Sequence, residues 1–275
     1  MDNLKQPSTY NEQVAQYTKK DAAQALLFSL LVMLAPFVYL VLPEAWDMLT
    51  EVYMLVLLVI LFVFLRKKRQ GLHSVGLHLT NWGKALAFGL ILMVAAQMLL
   101  EGLLPGLLGG WEFRVPLVIL TAVALSIWGA FFEDVVFIGF IQTRIYGLIK
   151  RDWPAIAVGA AIFAAVHYPV LIADTIGADG GFGADFWVNL AFATFAWMMF
   201  HIMMNVVFRR FNSIIPVTLF HLSWNLSNGA FGGGFWESSD GGFNAIISFV
   251  IIFYLVLFVC VFWPWLKKRK AAKKA

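Results

Sequence analysis

The stretch Ala22–Leu42, AAQALLFSLLVMLAPFVYLVL, decides the class of fold, because it carries no charge from end to end. A helix needs about 20 mostly apolar residues to cross the hydrocarbon core of a membrane, where each backbone group must bond within its own helix. Comparable runs recur at Val52–Leu65, Ala85–Leu100, Pro116–Phe132, Phe186–Phe208 and Ala245–Trp265. The sequence therefore predicts an all-α, polytopic transmembrane helical bundle rather than a soluble core.

Composition and charge agree with a membrane protein. Hydrophobic residues make up 61% of the chain and charged residues 13%, about half the charged fraction of a typical soluble domain. The net charge is +4, but the basic residues stand in short clusters at the ends of apolar runs, whereas nucleic-acid binding needs a basic face. The apolar runs predict about eight spans. By the positive-inside rule, the basic clusters predict that both termini are cytoplasmic. The lone cysteine, Cys260, excludes a disulfide framework and a cysteine metal site.

The runs divide the chain into five segments. These are a polar N-terminal arm (1–21), N-terminal transmembrane helices (22–115), a core of helices (116–228), an outer loop with the last transmembrane helix (229–266), and a basic cytoplasmic tail (267–275) that we expect to be disordered. We predict spans at about 22–42, 50–65, 84–104, 116–148, 152–171, 186–208, 213–226 and 243–265. Compact loops and the lack of an organelle signal favour a bacterial plasma (inner) membrane.

Several polar residues interrupt the predicted spans. Span four contains Glu133 and Asp134, span five contains His167, and span seven contains His221 and Asn225. An ionisable group at the centre of a membrane helix costs about 3 kcal/mol, so each needs a partner or a function. Their estimated depths overlap, which makes one intramembrane cluster possible.

Spacing indicates which of these side chains share a helix face. Residues four apart point the same way, as His221 and Asn225 do. Adjacent residues such as Glu133 and Asp134 are about 100° apart, and we expect that they cannot both aim at one centre. We assign the primary role to Glu133 and a supporting role to Asp134.

These residues resemble the motifs of the CAAX protease and bacteriocin-processing (CPBP) family of intramembrane glutamate endopeptidases. That family carries Glu-Glu-x-x-x-Arg, Phe-x-x-x-His and His-x-x-x-Asn on separate helices. The second motif is intact at Phe163–His167 and the third at His221–Asn225. The first is present as Glu133-Asp134 with Phe137, but Ile138 occupies the arginine position, and Arg144 is not on the face of Ile138.

The resemblance implies a mechanism for segment 116–228. Glu133 with His167 would activate a water for attack on a peptide carbonyl, and His221 with Asn225 would donate hydrogen bonds to the oxyanion. Asp134, Phe137 and Phe163 would support these groups. The implied partners are the lipid bilayer and a peptide or membrane-protein substrate, with no nucleic acid and no cofactor.

Other interpretations stay open. Glu133 could be a structural carboxyl, His167 a core histidine, and His221 with Asn225 hydrogen-bonding residues that join helices. Zinc held by Glu133, His167 and His221 is a less favoured alternative. The main alternative function is a non-proteolytic membrane scaffold or regulator, of an immunity or sensor-partner type, which fits the missing motif arginine. We interpret His201 and Asn205 in span six as structural, with a role in lining the site as the alternative, and we expect the Trp and Phe residues mostly to face lipid or the interface.

Overall fold

A computed structural model describes residues 9–41, 46–78, 80–97, 116–177, 182–229 and 250–272 of the chain. It confirms the all-α prediction, since these residues form helices and no strand. The helices are α1 (Tyr10–Ala15), α2 (Lys19–Val41), α3 (Trp46–Lys67), α4 (Trp82–Gln97), α5 (Pro116–Glu133), α6 (Asp152–Gly177), α7 (Ala184–Phe211), α8 (Ile215–Gly229) and α9, described over 250–272. A 3₁₀ turn (Leu72–Val75) lies between α3 and α4, and α5 continues as a π-helix (Asp134–Gln142) and a last turn (Thr143–Ile145).

Long apolar helices make this an integral membrane protein. Within the described residues, four helical stretches are long and apolar enough to cross a membrane: Leu49–Lys67, Asp152–Ile172, Phe186–Phe211 and Val250–Lys267. On α3, large apolar side chains such as Val52, Leu55 and Val59 are more than half exposed, as lipid-facing side chains are. The total of about eight spans stays a prediction.

The structure corrects the expected disorder of the C-terminal tail and adds detail at two other segments. The basic tail was predicted to be disordered, but α9 continues in helical form to Ala272, and its lysines and alanines are strong helix formers. The predicted end of span five near Leu171 agrees with the apolar stretch Asp152–Ile172, and the helix itself continues to Gly177. The polar arm contains the ordered helix α1, whose Tyr10 and Val14 are buried. Residues 98–115 and most of the predicted outer loop, 230–249, lie outside the described residues.

The chain forms two compact units, and the π-helix belongs to the first. This unit comprises residues 1–76 and 135–202, and the second comprises 77–134 and 203–275. Thr143 Oγ1 donates to the carbonyls of Gly139 at 2.7 Å and Phe140 at 3.1 Å, and Arg144 Nη1 donates to both at 3.3 Å. In an α-helix these carbonyls would accept from the backbone of Thr143 and Arg144. Side-chain capture of both carbonyls favours the wider π turn.

Arg144 is the central anchor of the first unit. Its guanidinium is 1% exposed and donates to Gln70 Oε1 at 2.7 Å and Ser74 Oγ at 3.3 Å. It also stacks on the rings of Tyr17 and Phe140, at 4.6 and 4.1 Å from their centroids. All hydrogen bonds described for Arg144 end on neutral oxygens. The side chain thus joins the N-terminal arm and the 3₁₀ turn to the end of the π-helix.

In the second unit, α8 packs against α4 and α5. The approach to α4 is close at Gly89, where an added Cβ would lie 2.8 Å from Leu219 Cδ1 and from the Pro216 backbone. The turn before α8 begins at Asn212, which has a left-handed φ of 53°. His78 Nε2 donates to the Asn212 carbonyl at 2.6 Å. These contacts fix α8, the helix that carries the third motif.

Candidate functional site

In the second unit, the end of α5 and the middle of α8 bring two carboxylates to one imidazole. His221 Nδ1 lies 3.1 Å from Asp134 Oδ1, which is a hydrogen bond. The other nitrogen, Nε2, lies 3.9 Å from Glu133 Oε2. Since a carboxylate accepts, Nδ1 is the donor to Asp134 and Nε2 is the nitrogen that faces Glu133.

Glu133 and Asp134 do not aim at one atom but face different nitrogens of the His221 ring, and only Asp134 lies within hydrogen-bond distance. An imidazole carries its nitrogens on different edges, so two carboxylates about 100° apart on α5 can each reach one of them. Adjacent acids on a helix therefore suit a histidine better than they suit a single reacting atom.

The two carboxylates differ in exposure. The Asp134 side chain is 0% exposed, the His221 side chain 5% and the Glu133 side chain 29%. Asp134 is therefore enclosed by protein, while Glu133 remains open to a water or a substrate. The 3.9 Å separation between Glu133 Oε2 and His221 Nε2 exceeds a direct hydrogen bond but lies within the range of an ion pair.

Asn225 lies one turn beyond His221 on α8 and is partly exposed. The spacing of four places the two side chains on the same face of the helix, as predicted. Its amide can donate two hydrogen bonds and accept others.

His167 lies on α6, in the first unit, and is partly exposed. Its Nδ1 lies 2.7 Å from the carbonyl oxygen of Phe163, one turn earlier. A carbonyl can only accept, so Nδ1 carries the hydrogen of this bond. In the neutral ring, the free Nε2 is then an acceptor, which is the form that a general base needs.

Four rings of α6 and α7 form two pairs in the first unit. The rings of His167 and Trp197 are stacked, with centroids 4.8 Å apart and planes 23° apart. Those of Phe163 and His201 are 5.3 Å apart. Both pairs have a spacing of four on each helix, so α6 and α7 run antiparallel here. Phe137 of the π-helix meets Phe163 edge to face at 5.2 Å.

His201 is tied to the π-helix through Gln142. His201 Nε2 lies 3.0 Å from Gln142 Oε1, and Gln142 Nε2 donates to the Ala155 carbonyl of α6 at 3.1 Å. His201 and Gln142 are both 0% exposed. This node supports the structural interpretation of His201, and Asn205 is likewise fully buried on α7.

Sequence reasoning missed Trp197 and Gln142. Trp197 was grouped with residues that face lipid or the interface, although it stands four residues before His201 as Phe163 does before His167. That shared spacing was the available signal. Gln142 carried no signal beyond being a polar residue at the end of an apolar run.

The predicted residues are thus placed as follows. The second unit brings together Glu133, Asp134 and His221, and Asn225 lies on the same helix as His221. The first unit brings together Phe137, Phe163 and His167. In the part of the chain that the structure describes, no group of three or more His, Cys, Asp or Glu side chains has the arrangement of a metal site.

Residues 113–227 match the family described as type II CAAX prenyl endopeptidase Rce1-like. The matched segment contains all three motifs, and the match confirms the resemblance drawn from them. It supports an intramembrane protease as the kind of protein. None of the curated proteins compared matches the chain.

Proposed function

Residues 113–227 relate this chain to the Rce1-like type II CAAX prenyl endopeptidases, and from that relation we propose an intramembrane endopeptidase that hydrolyses a peptide bond in or near the membrane. The observation that carries the proposal is the placement of Glu133. Its carboxylate is 29% exposed and lies 3.9 Å from His221, at the end of an otherwise apolar helix. A carboxylate kept there at such cost and still open to water is suited to react with it.

Glu133 is the general base in this proposal, with His167 as its partner. Glu133 removes a proton from a water, the water oxygen attacks the peptide carbonyl, and a tetrahedral intermediate forms. The proton then passes to the leaving nitrogen, the C–N bond breaks, and a carboxylate and an amine are released. The free Nε2 of His167, left by the bond of Nδ1 to Phe163, suits it to hold the same water.

His221 and Asn225 stabilise the oxyanion of that intermediate. Because Nδ1 donates to Asp134, Nε2 is the nitrogen that faces the reacting group, and it donates to the oxyanion when the imidazole carries a hydrogen on both nitrogens. Donors fixed in advance are the most effective, since they do not reorganise as charge develops. Asp134 is too enclosed to touch a substrate and acts through His221.

The substrate class that we propose is a peptide or a membrane protein, cleaved by a multi-pass enzyme of a bacterial plasma membrane. The matched family is named for CAAX prenyl substrates, so a prenylated C-terminal peptide is the first candidate to assay. No cofactor is needed for this chemistry.

The test compares cells that carry wild-type protein with cells that carry Glu133→Gln, at equal protein level. Peptide termini of membrane proteins are identified by mass spectrometry in each. We expect at least one cleaved terminus to disappear in Glu133→Gln and in His167→Ala. Glu51→Gln, the same chemical change on α3, serves as the matched control and should keep that terminus.

Identical termini in all strains would contradict the protease. If a stable partner co-purifies equally with wild type and Glu133→Gln in that case, the alternative of a non-proteolytic scaffold or regulator is supported instead.

A further inference from the structure

The Trp197 indole stacks on the His167 imidazole. The indole lies nearly parallel to the imidazole, at 23°, with centroids 4.8 Å apart. On the same imidazole, the Phe163 ring lies at 4.8 Å and 60°. The hydrogen bond to the Phe163 carbonyl fixes one atom of the ring, Nδ1. A single hydrogen bond leaves the ring free to rotate about it, and the stacked indole removes that freedom.

We propose that Trp197 is a positioning residue that sets the plane of the His167 imidazole and thus the direction of its Nε2. This inference rests on the proposed function, in which Nε2 holds the reacting water. No motif of the sequence assigns Trp197 a role.

The indole can act in this way because α7 is held on both sides of it. One turn after Trp197, His201 is bonded to the buried Gln142 at 3.0 Å. Three residues before it, Thr194 Oγ1 donates to the hydroxyl of Tyr168 at 3.1 Å. Tyr168 directly follows His167 on α6, so this bond ties α7 to α6 at the level of the imidazole. The helix cannot slide without breaking these contacts, and the indole stays opposite His167.

A merely structural tryptophan would show different features. It would fill a fully enclosed core position, but Trp197 and His167 are both partly exposed. Its closest ring contact is the imidazole of His167, with the ring of Tyr168 farther away at 6.3 Å, while Phe200 and Met203 fill the enclosed positions of α7. Stacking that preserves an accessible imidazole edge is what a reacting histidine requires.

The test uses the full-length protein with Trp197→Leu and Trp197→Phe, and the substrate found by comparing termini. Leucine removes the stacked ring and phenylalanine keeps one. We expect kcat to fall about three- to tenfold in Trp197→Leu with KM nearly unchanged, and to recover largely in Trp197→Phe. Trp187→Leu, on the exposed part of the same helix, is the matched control and should not change kcat.

A second readout does not depend on activity. The chain has five histidines, so protein labelled with ¹³C at histidine Cε1 gives five signals, assigned by single substitutions. The His167 signal should be shifted upfield by the indole in the wild type, lose that shift in Trp197→Leu, and regain part of it in Trp197→Phe.

The outcomes separate the two proposals. If His167→Ala is fully active, the proposed function fails. If His167→Ala is inactive, the activity of Trp197→Leu tests the second proposal alone. A wild-type kcat in Trp197→Leu, or a kcat no lower than that of Trp197→Phe, would overturn only the role of Trp197. An unchanged His167 signal in Trp197→Leu also overturns it, since the stack would then not exist in solution.

Discussion

His221 and Asp134 form a buried pair, with Nδ1 of the imidazole 3.1 Å from Oδ1 of the carboxylate and side chains 5% and 0% exposed. The pair joins α8 to the end of α5 within the second unit. Since Asp134 accepts from Nδ1 and Nε2 is the nitrogen that faces Glu133, the carboxylate of Asp134 decides which nitrogen of His221 can meet a substrate. The second acid of the first motif thus has a physical task distinct from that of Glu133.

Replacing Asp134 should therefore lower activity without removing the fold. Asparagine keeps the size of the side chain but loses its charge, so it no longer stabilises the doubly protonated imidazole whose Nε2 donates to the oxyanion. A hydrogen bond to a charged group contributes about 1.5–3 kcal/mol, which corresponds to roughly a ten- to hundredfold fall in kcat for Asp134→Asn. Single-turnover cleavage of the identified substrate measures this loss.

The comparison variant is Asp134→Glu, which restores the residue of the resembled motif. It keeps the charge with a longer reach and should retain more activity than Asp134→Asn. Equal, near wild-type rates for both variants would show that the charge beside His221 does not matter for catalysis.

The polar residues of the second unit could be predicted because such residues are rare in apolar runs. Glu133, Asp134 and His221 were singled out by their cost in a membrane helix alone, and the structure brings the three together. The spacing of His221 and Asn225 fixed their common face. Helix period and composition are local properties, so one sequence is enough to read them.

Contacts between helices could not be predicted in this way. The stack of Trp197 on His167 depends on the register of α7 against α6, and the π-helix after Glu133 depends on where Thr143 and Arg144 place their side chains. The C-terminal segment is helical to Ala272 and not disordered, because lysine and alanine are strong helix formers even in a basic tail.

Arg144 should be essential for stability in a way that lysine cannot replace. Lysine lacks the planar fork that reaches Gln70 and Ser74 together, and it stacks poorly on the Tyr17 and Phe140 rings. Buried acceptors left without a donor cost about 1–3 kcal/mol each. Arg144→Lys should thus clearly lower the thermal unfolding temperature in detergent. The control is Arg151→Lys, at an exposed position, which should leave that temperature unchanged. A wild-type unfolding temperature for Arg144→Lys would mean that the anchor contributes no net stability.

Gly159 should tolerate no side chain, because it faces the hydrogen bond between Gln142 and His201. An added Cβ would overlap Gln142 Oε1 and lie 2.8 Å from its Cδ and 3.1 Å from His201 Nε2. Overpacking of this kind costs about 1–3 kcal/mol. We expect Gly159→Ala to lower the free energy of unfolding, measured by denaturant titration in detergent.

Gly129→Ala is the matched control for that substitution. A Cβ at Gly129 meets nothing within 4 Å, and alanine in a helix is favoured over glycine by up to about 1 kcal/mol. The two variants should therefore change stability in opposite directions. A stabilised Gly159→Ala protein would show that Gln142 can give up its hydrogen bonds to Ala155 and His201 without lowering the free energy of unfolding.

Acid should destabilise the protein partly through Asp21, which lies just before the apolar run that starts at Ala22. Its carboxylate accepts from the Thr18 backbone N–H at 2.9 Å and from Thr18 Oγ1 at 2.7 Å, as in a capping box at the start of α2. Burial raises the pKa of Asp21, but these bonds and the charges of Lys68 and Arg144 outweigh it, and the pKa lies below its ordinary value.

The sign of the pH effect follows from that lowered pKa. The ionised form stabilises the folded state, so the contribution is complete above the ordinary pKa of an aspartate, about 3.9, and is lost as the pH falls through the lower pKa of the folded protein. The unfolding temperature of the wild type should fall more steeply below about pH 4 than that of Asp21→Asn. Thr18→Val, which removes one of the two donors, should lie between them. If the three curves have the same slope in acid, the bonds from Thr18 do not contribute to stability.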